Sequence, residues 1–331
     1  MPLHDTSYQH WDGVHLGLWG RRLVIARNGL TACLQVKGMR QLVAMCWIGA
    51  LAMTAILFCV GQLLDANSVV VAWVANLNPG LQDFARTLTS WLEQHPEISV
   101  HTAQNVLFYY SSIYLLRLGI FILAIIMPLL ITRDLASNAI IIYSSKAVSR
   151  GDYLLGKFST VFGLLGLTWF GPLCAAWFMG NLLGPDWKFF WHARVALVHI
   201  LMFGLGTMTV LSVLALGVSA TSSKEKATSG FWIMWWIIGG VVVPIATRTQ
   251  PWLRHVSFNF NLEQIALAIF QPGHDIKVAQ QNIPILGQLL SNIRPETMVR
   301  LNEPAAWGAL VALLLMLGVA ATVILRRVKP E

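Results

Sequence analysis

Apolar residues in this chain come in long unbroken runs, and the charges gather in the short stretches between them. Six runs, near 42–64, 113–132, 158–180, 195–218, 229–247 and 306–325, are long enough to cross a bilayer, which takes about 20 residues. The first reads LVAMCWIGALAMTAILFCV and the last AWGALVALLLMLGVAATVIL, neither with a charge. The pattern predicts an all-α polytopic membrane protein with two loops of some size, 65–112 and 248–305. Apolar residues recur through both loops, as LQDFARTLTSWLEQ before His95-Pro96 and as NLEQIALAIF and IPILGQLL, so both are expected to be ordered.

The segment before the first run has a different period. Leu16, Trp19, Leu23, Ala26, Leu30 and Cys33 recur at spacings of three and four, with Arg21, Arg22, Asn28 and Gln35 off that stripe. This predicts an amphipathic helix in the cytoplasmic interface, with Trp19, Arg21, Arg22 and Leu23 at the headgroups. Gly20 and Gly29 count against a helix there. The chain thus divides into a cytoplasmic N-terminus, 1–40, and a transmembrane domain, 41–331.

Composition agrees: 56% of the 331 residues are hydrophobic and 11% charged, too apolar for a soluble domain of this size. The net charge of +8 does not point to nucleic acid, because its distribution has another explanation. Arg21, Arg22, Arg27, Lys37 and Arg40 precede the first span. Arg133, Lys146, Arg150 and Lys157 lie between the second and third, Lys224 and Lys226 between the fourth and fifth, and Arg326, Arg327 and Lys329 after the sixth. Basic residues mark cytoplasmic loops, so both termini are expected in the cytoplasm, with the chain in a bacterial inner membrane. The first forty residues contain neither an apolar core nor a small-residue cleavage site, and no cleavable signal peptide is expected. The four cysteines have no paired spacing and read as small apolar side chains.

Residues 151–158, GDYLLGKF, match a phosphate-loop signature except at the last position, where Phe158 replaces the Ser or Thr that holds Mg²⁺. An apolar span follows instead of an amphipathic helix packed on a sheet, so Lys157 reads as a positive anchor at the cytoplasmic end of span three. No ATP or Mg²⁺ site, other cofactor or catalytic centre is expected on this chain.

The surrounding stretch, TRDLASNAIIIYSSKAVSRGDYLLGKF at 132–158, resembles the cytoplasmic loop of permease subunits of ABC transporters of the second exporter type. In that family an acidic residue follows span two, a short helix comes next, and a phrase like P-[VI]-S-R-x-x-[YIL]-L-L-G-K leads into span three. Here Asp134 is the acid, 138–145 the short helix, and Val148-Ser149-Arg150 with Tyr153-Leu154-Leu155-Gly156-Lys157 the closing phrase. Ala147 stands where the family has Pro, and Leu135-Ala136-Ser137-Asn138-Ala139 where it has Gly-Thr-Leu. The resemblance implies that the short helix couples the chain to a separate ATPase subunit, through Asp134, Asn138, Tyr143, Ser144, Lys146 and Arg150. It also implies a second permease half, identical or related, with ATP and Mg²⁺ on the ATPase partners, and membrane lipid around the assembly. The other class open to such a sequence is a polytopic integral enzyme or a non-transporting assembly subunit.

Ionisable groups inside the spans are few: Arg117 in the outer part of span two, His199 in span four and Arg194 at its outer edge. With no carboxylate in a span core, energy is expected to come from outside the chain. His199 reads as a hydrogen-bonded interior residue. The groups His4, Asp5, His10, Asp12, His15 and His95, His101 fit no standard metal spacing. Gly163, Gly166, Gly204, Gly206, Gly239 and Gly240 mark expected helix contacts, and Gly171-Pro172 a kink in span three.

Overall fold

The structure, a computed structural model, describes residues 17–64, 68, 72–73, 87, 89–139, 149–246, 250–282 and 295–328. Described residues in ordered elements are helical: α1 (Leu18–Gln35), α2 (Met39–Leu63), α3 (Pro96–Ile126), α4 (Thr132–Ala136), α5 (Arg150–Leu165), α6 (Gly171–Leu182), α7 (Trp187–His192), α8 (Arg194–Ser219), α9 (Glu225–Ile237), α10 (Val243–Ala246), α11 (Phe258–Phe270), α12 (Pro272–Asn282), α13 (Pro295–Asn302) and α14 (Ala306–Arg327). Among the described residues, five stretches are long and apolar enough to cross a membrane: Met39–Leu63, Pro96–Ala136, Arg150–Leu182, Trp187–Ser219 and Ala306–Arg327. The chain is therefore an all-α protein of the multi-pass membrane class. The run expected as a further span at 229–247 is helical from Glu225 to Ala246 but lies outside these five.

Span two starts earlier than its hydropathy suggests. Its helix α3 begins at Pro96, whose missing N–H costs nothing at the first helical position, so 96–112 belong to a helix and not to a loop. Gln104, Asn105 and Ser112 dilute the apolar pattern there, yet all three are buried. Gln104 and Asn181 exchange side-chain amide hydrogen bonds between α3 and α6. At the other end Pro128 stops the helix, and Met127–Leu129 form a 3₁₀ turn.

The expected break in span three is a π-helical turn, Gly166–Phe170, leading into α6 with Pro172 in its first turn. Proline removes one N–H and crowds the carbonyl four residues back. Widening the turn lets Gly171 N–H bond the Gly166 carbonyl instead. Val243-Pro244 follows a second π turn, Ile238–Val242, in the same way.

The region 248–305 contributes to the bundle itself. Ser257 caps α11, accepting from Phe260 N–H at 3.2 Å. The helix buries Phe258, Leu262, Ala266, Leu267 and Phe270 against α3, α8 and α14. Phe258 stacks on Trp232 at 5.2 Å and meets Trp235 edge-on at 4.9 Å. Gln271, left-handed at φ 47°, then turns the chain into α12, which packs on α3. IPILGQLL, at 283–290, lies outside the described residues.

Helix α1 packs along α5. Arg22 pairs with Asp152 across this contact, at 2.5 Å, and its guanidinium sits 4.8 Å over the Trp19 ring. The apolar stripe is split: Cys33 is buried and Leu30 half-buried, while Trp19 is 79% and Leu23 69% exposed. Burial pushes the Cys33 thiol up to about 11. Gly29 and Gly156, facing Thr160 and Ile25, allow the close approach, since a Cβ at either would collide with that side chain. We expect Gly156→Leu to lift α1 from α5 at a cost of about 1–3 kcal/mol, read as lower thermal stability and faster proteolysis within 18–35. Of the other glycines marked as contacts, Gly204 meets Phe170, Gly239 meets Ser257 and Gly166 meets Met208, whereas Gly163 and Gly206 face open space.

Candidate functional site

The stretch Ser149–Lys157 enters α5, and its polar residues tie it to several other parts of the molecule. Ser149 is the N-cap: its Oγ accepts from Asp152 N–H at 3.1 Å and donates to the Asp152 carboxylate at 2.6 Å. Arg150 donates to the carbonyls of Ile324 and Leu325, near the end of α14, where a cation also complements the helix dipole. Asp152, one residue pair further, holds Arg22 of α1. Tyr153 donates to Asp134 Oδ2 at 2.6 Å, and Lys157 Nζ reaches the same oxygen at 2.7 Å. Lys157 also donates to the carbonyls of Leu129 and Leu130, at 3.3 and 2.5 Å, which the break at Pro128 leaves without helical partners. One helix start thus fastens α1, the end of span two and the end of the last span.

This explains the near-match to a phosphate loop. Residues 151–158 are continuous helix, and Lys157 is engaged by a carboxylate and two carbonyls.

A hydroxyl cluster secures the neighbouring helices. Ser219 Oγ accepts from Ile131 N–H and Thr132 N–H, at 2.8 and 3.1 Å, and donates to the Met127 carbonyl at 3.0 Å. Thr132 Oγ1 bonds the Ser219 carbonyl at 2.8 Å and lies 3.3 Å from Thr228 Oγ1. All three side chains are buried, where an unpaired hydroxyl is costly. Arg133 and Glu225 form an exposed pair at 2.8 Å above them.

Of the residues that the sequence marks for partner contact, Asp134 and Arg150 face inward to these ties. Asn138 adopts the left-handed conformation, φ 54°, just past α4, as Asn tolerates. Tyr143, Ser144 and Lys146, with nearly all of the expected helix at 138–145, lie outside the described residues. The described helix in this loop, α4, comes earlier, at Thr132–Ala136, because it carries on from span two.

A second polar cluster, at the far end of the bundle, is not apparent from the sequence. Asp275 of α12 is buried against α3, where it meets Asn105 Nδ2 at 2.5 Å and His101 Nε2 at 3.4 Å. Asn105 also donates to the Phe270 carbonyl, and its Oδ1 lies 2.8 Å from His199 Nδ1. Both amide hydrogens being spent, Asn105 Oδ1 accepts, which makes His199 Nδ1 the donor. His199 is thus a bonded interior side chain. The cluster lines a cavity of about 450 Å³ with Glu97, Gln271 and His274. The carboxylate comes from a segment 170 residues away from Asn105, so only a spacing rule across distant segments would have found it. Among the described residues no group of three His, Cys, Asp or Glu side chains is placed to hold a metal ion. His4, Asp5, His10, Asp12 and His15 lie outside them.

The arrangement at Ser149–Lys157 is a set of charge pairs, a helix cap and side chain–carbonyl hydrogen bonds that join α5 to its neighbours. No family model matches the chain, and no curated protein matches it.

Proposed function

We propose that this chain is the transmembrane permease half of an ATP-driven ABC exporter of the second type, in a bacterial inner membrane. In this reading the segment 225–246 is a sixth span, α1 lies at the cytoplasmic interface, and both termini are cytoplasmic. A second permease half, the same or a related chain, completes the transmembrane unit. Two separate ATPase subunits bind ATP and Mg²⁺, and hydrolysis there drives export of a lipidic or amphipathic cargo, or its extraction from the membrane. One observation carries the proposal. The loop that joins spans two and three springs from a base in which Asp134, Asp152, Tyr153, Lys157 and Arg150 tie α1, α3, α5 and α14 together. A loop that receives force from outside needs such a base, so that a push is passed to several helices instead of being absorbed by one.

Crosslinking tests this. Single cysteines at 138–146 are expected to join to a copurifying ATPase subunit, and cysteines at 272–282, on α12, are not. If the α12 set joins and the 138–146 set does not, both orientation and class fail. The isolated chain is expected neither to bind nor to hydrolyse ATP, because Phe158 stands where a phosphate loop holds Mg²⁺ and Lys157 is already engaged by a carboxylate and two carbonyls. Saturable nucleotide binding by the chain alone, in equilibrium dialysis, contradicts the proposal.

A further inference from the structure

Four residues of α3, Tyr110, Tyr114, Arg117 and Phe121, fall at i, i+4, i+7 and i+11 and form one exposed stripe. Tyr110 is 39%, Tyr114 63% and Phe121 41% exposed. The stripe runs through a membrane-crossing stretch. Fourteen apolar residues, 118–131, separate Arg117 from Thr132 at the cytoplasmic end, which at about 1.5 Å per residue places it roughly 22 Å inside. That depth is still within a hydrocarbon core of about 30 Å.

A guanidinium so placed should not face lipid. Charged side chains in spans turn to the bundle interior or to a water-filled cavity, and pair there. Arg117 is exposed and, among the described residues, has no carboxylate partner. Its guanidinium lies 5.2 Å from the centre of the Tyr114 ring. The exposed faces of α2 and α14 are unlike it. Leu51 and Ile56 on α2, and Leu310, Leu314 and Val319 on α14, stand in runs without any charge, as surfaces facing acyl chains do. The charge around the stripe is positive on balance: Arg300 and Glu263, near enough to act electrostatically on Tyr109 and Tyr110, neutralise each other at 2.6 Å, and Arg117 is left over. Tyr110 also borders an apolar cavity of about 520 Å³ between α2 and α3, lined by Ile56, Val60, Leu63, Val106 and Leu107.

We propose that the Tyr110–Tyr114–Arg117–Phe121 face lines a water-filled path, in which Arg117 binds the acid group of an anionic amphiphile while the neighbouring cavity takes its apolar body. That the amphiphile is cargo, and that a second copy of the chain closes the path, rests on the exporter reading. Water at this face and its preference for anions do not.

Thiol labelling in membrane vesicles tests both. Cys59, the exposed native cysteine, is replaced by Ser, and Tyr114→Cys, Phe121→Cys, Leu51→Cys and Leu314→Cys are made singly. They are treated with an anionic methanethiosulfonate, the ethylsulfonate, and with its cationic trimethylammonium counterpart. Cysteines at 114 and 121 are expected to react, and those at 51 and 314 to stay unlabelled. The anionic reagent should be several-fold faster at 121. Arg117→Gln should bring the two rates together, and Arg117→Lys should keep the difference. Retention of hexadecanoate over the neutral hexadecanol by the purified chain, lost in Arg117→Gln, gives a second readout. If 114 and 121 are as silent as 51, Arg117 merely reaches along the helix to headgroups and the path does not exist. If they react without charge preference, or hexadecanoate is not preferred, the anion site is wrong. None of these measurements needs an ATPase partner. Failure to find that partner therefore sinks the exporter reading alone, and silence at 121 sinks only the path.

Discussion

Lys157→Ala is expected to destabilise the chain by about 3–5 kcal/mol, the cost of breaking a buried pair and stranding its charge. The Lys157 and Asp134 side chains are only 13% and 16% exposed, so the Asp134 carboxylate would lose its cation without gaining much water. The Leu129 and Leu130 carbonyls would lose their donor at the same time. The double variant Asp134→Asn, Lys157→Met removes both charges and should be less destabilised than the sum of its single changes, because no unpaired ion remains. Arg133→Ala is the control. Its pair with Glu225 has both side chains about half exposed, and it should cost less than about 1 kcal/mol. Unfolding of the detergent-solubilised chain, followed by denaturant titration, ranks these variants. Equal losses for Lys157→Ala and Arg133→Ala would mean that the base of the loop is as wet as its surface.

Trp232→Ala should be as damaging, at about 3–5 kcal/mol. Trp232 is fully buried, donates its indole N–H to the Ile120 carbonyl at 3.0 Å, and stacks on Phe258. It therefore joins α9 to α3 and to the inserted helix α11. Its removal opens a cavity among those elements and takes away an aromatic contact, so hydrogen exchange should quicken across 258–270 before it does in α2. Trp232→Phe keeps the ring contact and loses the hydrogen bond, with an expected loss of about 1 kcal/mol. A Trp232→Ala chain with native stability, and with 258–270 as protected as before, would show that α11 is not held from α9.

Membrane character, helical class and the positions of five apolar stretches follow from hydropathy alone, because apolar length in a bilayer is a property of each segment by itself. Local chemistry is legible in part: a helical piece ends before His95-Pro96 and Gly171-Pro172 disturbs a span, since proline's missing N–H acts where it stands, whereas the helix start at Pro96 and the break at Pro128 emerge only in the structure. The polar residues of the phrase at 149–157 stand out in the sequence too, as does a lone arginine in a span.

What those residues touch is decided only by packing. Gly29 weakens α1 by helix propensity and yet is a point where α1 meets α5, because a missing Cβ costs backbone order locally and allows close approach globally. Asp134 reads as a contact for an ATPase partner and is half of a nearly buried pair. Asp275 reads as a loop residue and is buried against span two by a helix that hydropathy places outside the bundle. Polar residues at 104–112 lower the apolar score of a segment that is nonetheless buried, because their partners come from other helices. In each case the deciding free energy lies in a contact between segments far apart in the chain, and no window along the sequence contains both halves of it.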